Sequence, residues 1–357
     1  MTTSTRATTP TGPAPLHVAA ELTLERLSDF LAAETERWSA VDPDLAPVLR
    51  ELDRFCAGGG KRVRPGFAYW TFLGAGGASD DARIVDLCAG LELLHSFALL
   101  HDDVMDGSDT RRHHETTHVA AARRHLASAW RGEARRFGEG VAILLGDLAL
   151  TYADRLLGGA DPVTRGVYDE LKTELMVGQY LDLVSAARGD VDGARGQRIV
   201  LYKSAKYTVE RPMHLGAALA GRYEELGPRL SEVGVPLGEA FQLRDDLLGV
   251  FGDPSAVGKP VGDDLREGKA TPLLSLATER ADAGQRTVLA LVGTDLDPED
   301  VARICQVLDD TGATAALEER IDQLTDRAIG SLERLPLEEP GRSALVALAA
   351  YVGRRER

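Results

Sequence analysis

Residues Leu91–Asp106 read LELLHSFALLHDDVMD. Leucine, alanine and phenylalanine recur there at three- and four-residue steps with no proline, which specifies a helix. That helix ends in three carboxylates, Asp102, Asp103 and Asp106. Asp102 and Asp106 stand four apart and share one helical face. Like charges at that spacing cost a helix roughly 0.2–0.5 kcal/mol, and carboxylates at a helix C-terminus oppose its dipole. An apolar helix that accepts both costs points to a cation at its end. All-oxygen donors without thiols suit Mg²⁺, which keeps several waters and commonly joins protein carboxylates to phosphates.

Helical periodicity continues on both sides, over Ala82–His101, Val141–Leu157, Tyr168–Val184, Ile199–Ala220, Glu232–Val250, Pro272–Ala290, Ala315–Leu335 and Gly341–Arg357. These segments lean on Leu, Ala, Glu and Arg, which are good helix formers. No alternating strand stands out, and the latter half of Gly107–Gly140 reads as a solvated connection or short helix. Glycine-rich breaks fall at Gly58–Gly60, Gly74–Gly77, Gly158–Gly159, Gly189–Gly196 and Gly252–Gly262. The expected architecture is all-α: one helical-bundle domain over residues 17–357, behind a disordered Thr/Pro/Ala-rich tail over residues 1–16.

The 357 residues carry 41 Lys+Arg against 56 Asp+Glu, a formal net charge of −15, which argues against a nucleic-acid partner. Hydrophobic residues at 44% suit a folded core, and aromatics at 5% disfavour a sheet-rich fold. No apolar stretch of the roughly 18 residues that a membrane span needs is evident, so no stable membrane insertion is expected. The N-terminus has no apolar signal core. Three scattered cysteines, Cys56, Cys88 and Cys305, lack metal-type spacing and read as reduced thiols of a cytoplasmic protein.

A second acidic cluster, Asp245-Asp246, again follows a long helical segment, with Asp253 shortly after. Two acidic helix ends from separate halves of one chain can face each other across a bundle and clamp a diphosphate between metal ions. Cations gather beside them: Lys61, Arg62 and Arg64 on the glycine-rich turn, Arg111 and Arg112 after the first cluster, Lys203 and Lys206, and Lys259 and Lys269 after the second. Glycine lets backbone N–H groups approach an anion, while Lys and Arg add charge-assisted donors. The turn does not meet the Walker A pattern.

GGGKRVRP (58–65), DDVMDGSDTRR (102–112), GQYLDL (178–183), YKSAKYT (202–208), FQLRDDLLGVFGDP (241–254) and GKPVGDDLREGKATP (258–272) occur in the order seen in trans-isoprenyl diphosphate synthases. Over roughly Leu45–Leu276 the chain resembles that polyprenyl synthetase family, and within it the bacterial geranylgeranyl diphosphate synthases. The resemblance implies an isoprenoid-synthase bundle around a central apolar cavity, usually a homodimer. It also implies head-to-tail condensation of isopentenyl diphosphate with an allylic diphosphate (dimethylallyl, geranyl or farnesyl), assisted by three Mg²⁺ ions. By the same resemblance Asp102, Asp106 and Asp245 are metal-ligating, with Asp103 and Asp246 beside them. Lys61, Arg64, His95 and Arg112 match the isopentenyl diphosphate site. Arg111, Lys203, Lys259 and Lys269 match contacts to the allylic diphosphate, Gln179 and Gln242 line the reacting carbons, and Ser204 stands where threonine is usual.

One departure concerns the second cluster, commonly DDxxD in the family, which here ends in Gly249. Chain length is implied by Phe97 and Ala98, five and four positions before Asp102: an aromatic followed by a small residue resembles synthases of twenty-carbon geranylgeranyl diphosphate. Farnesyl or longer-chain synthases are the alternatives. A class I terpene cyclase would share the metal-bound acids but has no use for GGGKRVRP. A phosphohydrolase built on His101-Asp102 would need further histidines at helical spacing. A non-catalytic subunit of a heteromeric prenyltransferase would have lost acids, as Gly249 suggests and the intact first cluster opposes.

Overall fold

The computed structural model describes residues 12–112, 114–188, 193–252, 262–266, 268–269 and 271–354. The expected all-α architecture is what it shows. Helices α1 (Ala14–Ser39), α2 (Leu45–Ala57), α3 (Val63–Gly74) and α4 (Ala82–Asp106) lead into a small hairpin, β1 (Thr110–Arg111) with β2 (His114–Glu115). Then come α5 (Thr117–Ala127), α6 (Ala134–Leu156) and α7 (Pro162–Arg188). α8 (Gly193–Ile199) widens into a π-helical stretch, Val200–Glu210, that continues as α9 (Arg211–Leu219). The long α10 (Tyr223–Phe251) is followed by α11 (Asp263–Arg266), α12 (Pro272–Arg280), α13 (Ala283–Leu289), α14 (Pro298–Asp310), α15 (Ala313–Glu333) and α16 (Gly341–Gly353).

α4 is the hub, because its leucines point almost all round. Leu87, Leu91, Leu93, Leu94 and Leu100 are buried, and α1, α3, α6 and α9 pack about them. A helix that is apolar on every side must be surrounded. By length and composition α4 could cross a membrane, which corrects the expectation that no such stretch exists; 67% of its apolar window is buried inside the bundle. α10 threads two cores. Its first half joins the large one around α4, while Ala240, Leu243 and Leu247 belong to a second with Leu265, Ile304, Leu308 and Ile321. The buried Arg244 fastens α10 at their boundary, with Nη1 and Nη2 on Glu318 at 2.9 and 2.7 Å and Nε donating to the Gly353 carbonyl at 3.2 Å.

The π-helical stretch is clasped between α7 and α10 at backbone distance. A β-carbon on Gly178 of α7 would stand 2.5 Å from the Lys203 nitrogen, and one on Gly238 of α10 would stand 2.5 Å from the Ala205 oxygen. Only glycine permits such an approach.

Several boundaries differ from expectation. The tail ends sooner: α1 starts at Ala14, Leu16 is fully buried, and the Pro15 carbonyl accepts a hydrogen bond from Trp70 Nε1 at 2.7 Å. α10 begins at Tyr223, nine residues before the expected start at Glu232, and runs through Pro228 as well as Pro236, because docking on the π-helical stretch outweighs local propensity. The single helix expected over Pro272–Ala290 is two, since Asp282 and Gln285 form a capping box that starts α13. α1, α2, α3 and α14 were not among the expected segments, and α5 with the first turns of α6 fills the expected connection.

Candidate active site

α4 stops immediately after Asp106 because Gly107 takes the left-handed conformation (φ 66°, ψ 30°). The hairpin then turns the chain back on itself and brings Arg111 over the acids. Arg111 Nε donates to Asp103 Oδ1 at 2.6 Å, and its Nη2 lies 3.8 Å from Asp102 Oδ2. Asp103 is buried with Oδ2 lacking a hydrogen-bond partner, and burial raises its pKa against the pull of Arg111. The π-helical stretch supplies Lys203, whose Nζ reaches Asp102 Oδ1 at 3.3 Å and Asp182 Oδ2 at 2.6 Å. Gln179 Nε2 donates to the same Asp102 oxygen at 2.8 Å. Burial lowers the pKa of Lys203, but Asp102 and Asp182 outweigh it and the net shift is upward, so the lysine stays charged. Ser204 is half-buried beside it.

The second cluster lies on α10. Asp245 is half-buried and Asp246 buried, with Gln242 Nε2 donating to Asp246 Oδ1 at 2.8 Å. Burial above all, with Asp264 and Asp245 adding to it, pushes the Asp246 carboxyl up to about 7. Lys269 joins the clusters: its charge acts on Asp106 and on Asp246 alike, while its Nζ pairs with Asp264 Oδ1 at 3.3 Å. Asp106 presents its side chain to solvent, yet desolvation by the surrounding protein and then the charge of Asp102 push it up to about 6. Lys259 and Asp253 lie outside the described residues.

An arginine-rich group adjoins the first cluster, with Glu92 as its buried counter-ion. Arg62, itself buried, ion-pairs with buried Glu92 and donates to the Cys56 carbonyl, which fixes the glycine-rich turn. Arg112 Nη1 donates to the carbonyls of Gly58 and Gly59 at 2.6 and 2.9 Å. Arg64 donates to Thr208 Oγ1 at 3.0 Å and stacks over the Tyr207 ring at 4.2 Å, and Lys61 is half-buried on the turn. His95 Nδ1 lies 3.3 Å from Tyr207 Oη. Burial, and then Arg64, Arg112, Arg62 and Arg111, drive the His95 pKa well down, so the imidazole is neutral. Burial and Arg62 lower Arg112 to about 10, which leaves it charged.

Of the cations singled out in sequence, Lys206 turns away and pairs with Glu174, which also takes Arg211 at 2.7 Å. Sequence reading overlooked Asp182, although it stands three positions after Gln179 in GQYLDL, and it grouped Arg62 with the other cations of the turn, where the structure makes it a brace. Phe97 is buried with its ring edge-on to His101 at 4.7 Å, and His101 Nε2 meets the Ile143 carbonyl of α6 at 3.0 Å. Ala98 is half-buried beside it.

Among the described residues no three acidic, histidine or cysteine side chains converge closely enough to hold an ion unaided. This suits Mg²⁺, which takes one or two carboxylates and completes its shell with water and phosphate oxygens. The unpartnered Asp103 oxygen and the raised Asp106 and Asp246 carboxyls fit such a shared arrangement.

Comparison with known proteins agrees. The polyprenyl synthetase family model matches residues 47–310. The chain is 33% identical to geranylfarnesyl diphosphate synthase of Aeropyrum pernix, over 92% of this chain and 98% of that one. It is 32% identical to geranylgeranyl diphosphate synthase of Mycobacterium tuberculosis, over 98% and 93%. The crystal structure of geranylgeranyl pyrophosphate synthase from Corynebacterium glutamicum, complexed with isoprenyl diphosphate and magnesium, superposes with a TM-score of 0.89 at 38% identity, covering 95% of this chain and 99% of that one.

The raised carboxyls set a pH dependence. Between the unfolded carboxylate value near 4 and about 7, the folded protein holds protons that the unfolded chain releases, so without metal these groups make stability fall as pH rises. Mg²⁺ needs the ionised acids, so its stabilising effect grows over the same window. The rise in Tm caused by Mg²⁺ with pyrophosphate is therefore expected to be larger at about pH 8 than at about pH 6, with Asp246 contributing more than solvent-facing Asp106. Equal rises in a thermal-shift assay would contradict it.

Proposed function

The chain belongs to the polyprenyl synthetase family and is a prenyltransferase of the trans-prenyl diphosphate synthase type, and we propose that it condenses isopentenyl diphosphate with dimethylallyl, geranyl and farnesyl diphosphates to all-trans geranylgeranyl diphosphate. One observation carries this reading. The site has two halves of different make, one lined by acids suited to a metal-bridged diphosphate and one rich in arginine around His95, and Arg111 acts in both.

In this reading Asp102, Asp106 and Asp245 hold Mg²⁺, three ions in all, with Asp103 and Asp246 behind them. The bound metal supplies the positive charge that lets pyrophosphate depart from the allylic carbon. Lys203 and Arg111 already lie on these acids, and each can exchange a carboxylate for a phosphate oxygen without moving its backbone. Lys259 and Lys269 add charge from the segment after α10. In the basic half Lys61, Arg64 and Arg112 grip the second diphosphate. Neutral His95 donates a hydrogen bond there without adding a charge. Gln179, Gln242 and Ser204 orient the reacting ends, and the apolar wall of α4 keeps water from the developing carbocation.

Product length follows from how far the growing tail travels along α4. Phe97, braced by His101 against α6, closes that path, while Ala98 leaves space beside it. The relatives bear farnesyl, geranylgeranyl, geranylfarnesyl, heptaprenyl and octaprenyl names, so this pair of residues is what favours twenty carbons.

The homodimer belongs to the same proposal. α6 exposes Phe137 and Leu144, seven apart, with Ile143 beside them, and α7 exposes Met176, Val177, Tyr180 and Leu183 at helical spacing. Contiguous apolar faces of this kind mark protein interfaces. The cytoplasmic expectation also stays with this reading, in keeping with three free cysteines.

Purified protein incubated with Mg²⁺, labelled isopentenyl diphosphate and each allylic primer is expected to release geranylgeranyl diphosphate. Asp102→Ala should lower turnover about 10²–10³-fold with its folding intact, and near-normal turnover would reject the assignment. Phe97→Ala should shift the product spectrum by mass spectrometry toward longer chains; an unchanged spectrum removes Phe97 from chain-length control. Light scattering should give twice the chain mass for the wild type and the single mass for Leu144→Asp, whereas a monomeric wild type would refute the dimer.

A further inference from the structure

Between α5 and α6 the chain turns a corner whose residues, Leu126 to Glu133, are exposed without a break. α5 ends there in a left-handed cap. Ala129 takes φ 49°, Trp130 N–H donates to the His125 carbonyl at 3.2 Å, and Ala129 N–H donates to the Leu126 carbonyl at 3.1 Å. Such a cap ordinarily uses glycine, because a β-carbon is strained in the left-handed region. The surroundings hold the strain. The Trp130 ring meets buried His125 edge-on at 6.1 Å and Phe137 at 5.3 Å, and His125 Nε2 donates to the Arg131 carbonyl at 3.0 Å. A costly backbone conformation thus fixes an indole at the surface. Trp130 remains 43% exposed and Leu126 70%.

Charge surrounds this apolar tip. Arg123, Arg124, Arg131, Arg135 and Arg136 are all exposed, against Glu133 and Glu139 in the same stretch. Arg124 lies over the Trp130 ring at 5.3 Å. Arg123, Arg135 and Arg136 pair with Glu115, Glu139 and Glu133, and exposed pairs of this kind bind their partners weakly. Arg124 and Arg131 have no carboxylate partner among the described residues. The whole chain carries −15, so a negatively charged surface attracts this corner and repels most of the rest.

Position joins the corner to the site. α4 and α6 run antiparallel: a β-carbon on Gly146 would meet the His101 ring, and one on Gly90 would meet Leu157. α6 begins twelve residues before Gly146 and α4 ends five after His101, so the corner projects past the acid-bearing end of α4 by on the order of 10 Å.

We propose that the α5–α6 corner docks the protein on an anionic phospholipid bilayer, with Trp130 and Leu126 at headgroup depth and the arginines on lipid phosphates. An unbroken run of exposed residues makes a protrusion and not a groove, which suits a soft headgroup layer better than a folded partner. Tryptophan favours that layer, and each arginine adds attraction to anionic lipid. The contact is peripheral and inserts no helix. Its use rests on the diphosphate-transfer reading, in which a prenyl diphosphate, an amphiphile, is held at the end of α4 nearest the lipid. Phe137, the shelf beneath Trp130, is also the first residue of the α6 stripe assigned to the dimer, so the corner begins where that stripe ends.

The test is flotation of the full chain with vesicles of phosphatidylcholine alone and of phosphatidylcholine mixed equally with phosphatidylglycerol. Wild type should float with the mixed vesicles only, and less as salt rises. Arg124→Gln/Arg131→Gln should lower partitioning onto the mixed vesicles at least about tenfold, and Trp130→Ala several-fold. Both variants should keep native helicity and wild-type turnover in lipid-free buffer. A wild type that floats with neither vesicle or equally with both overturns the proposal, as does either variant binding as well as wild type. Loss of the dimer in the arginine variant, seen by light scattering, also overturns it and makes the corner an interface between two copies. Failure of condensation with lipid binding intact removes the diphosphate reading and leaves the docking surface standing.

Discussion

Asp102 and Asp106 sit one turn apart at the end of a helix whose other residues form the centre of the core. Their backbone is fixed, because α1, α3, α6 and α9 pack about α4, and their repulsion is eased by charges brought from elsewhere. The surroundings answer that constraint. The hairpin delivers Arg111, the π-helical stretch delivers Lys203, and the turn after α11 delivers Lys269, each from a different part of the chain. In a protein with a net charge of −15, such convergence is a property of the site and not of the surface. The same cations are those a diphosphate would recruit.

Much of this was legible in sequence because it is local. The spacing of Asp102 and Asp106, the cations of GGGKRVRP and the doublet Asp245-Asp246 are short-range patterns with direct physical meaning. The all-α reading followed from apolar residues recurring at three- and four-residue steps and, in α4, from a proline-free apolar run that the bundle surrounds. What escaped was non-local. The nine residues by which α10 starts before the expected Glu232 include Pro228, whose local cost is outweighed by packing, and the division of α12 from α13 turned on one capping box. Asp182 gained its meaning only when Lys203, twenty-one positions away in sequence, was folded against it.

The α5–α6 corner shows the same limit more sharply. In sequence Trp130 is one residue of a stretch that reads as a solvated connection or short helix. That it stands fixed at the surface depends on His125 and Phe137 closing beneath it from either side of the turn, a contact no spacing rule encodes. Arg62 is the converse. It resembles its neighbours Lys61 and Arg64 on paper, but its pairing with Glu92 inside the bundle makes it a brace.

The π-helical stretch meets α7 and α10 with main chain against main chain, leaving no compressible layer of side chains on either flank. A side chain larger than hydrogen at Gly178 or Gly238 would wedge the π-helical stretch away from its neighbour, and through it shift the Lys203 ammonium that lies on Asp102 and Asp182.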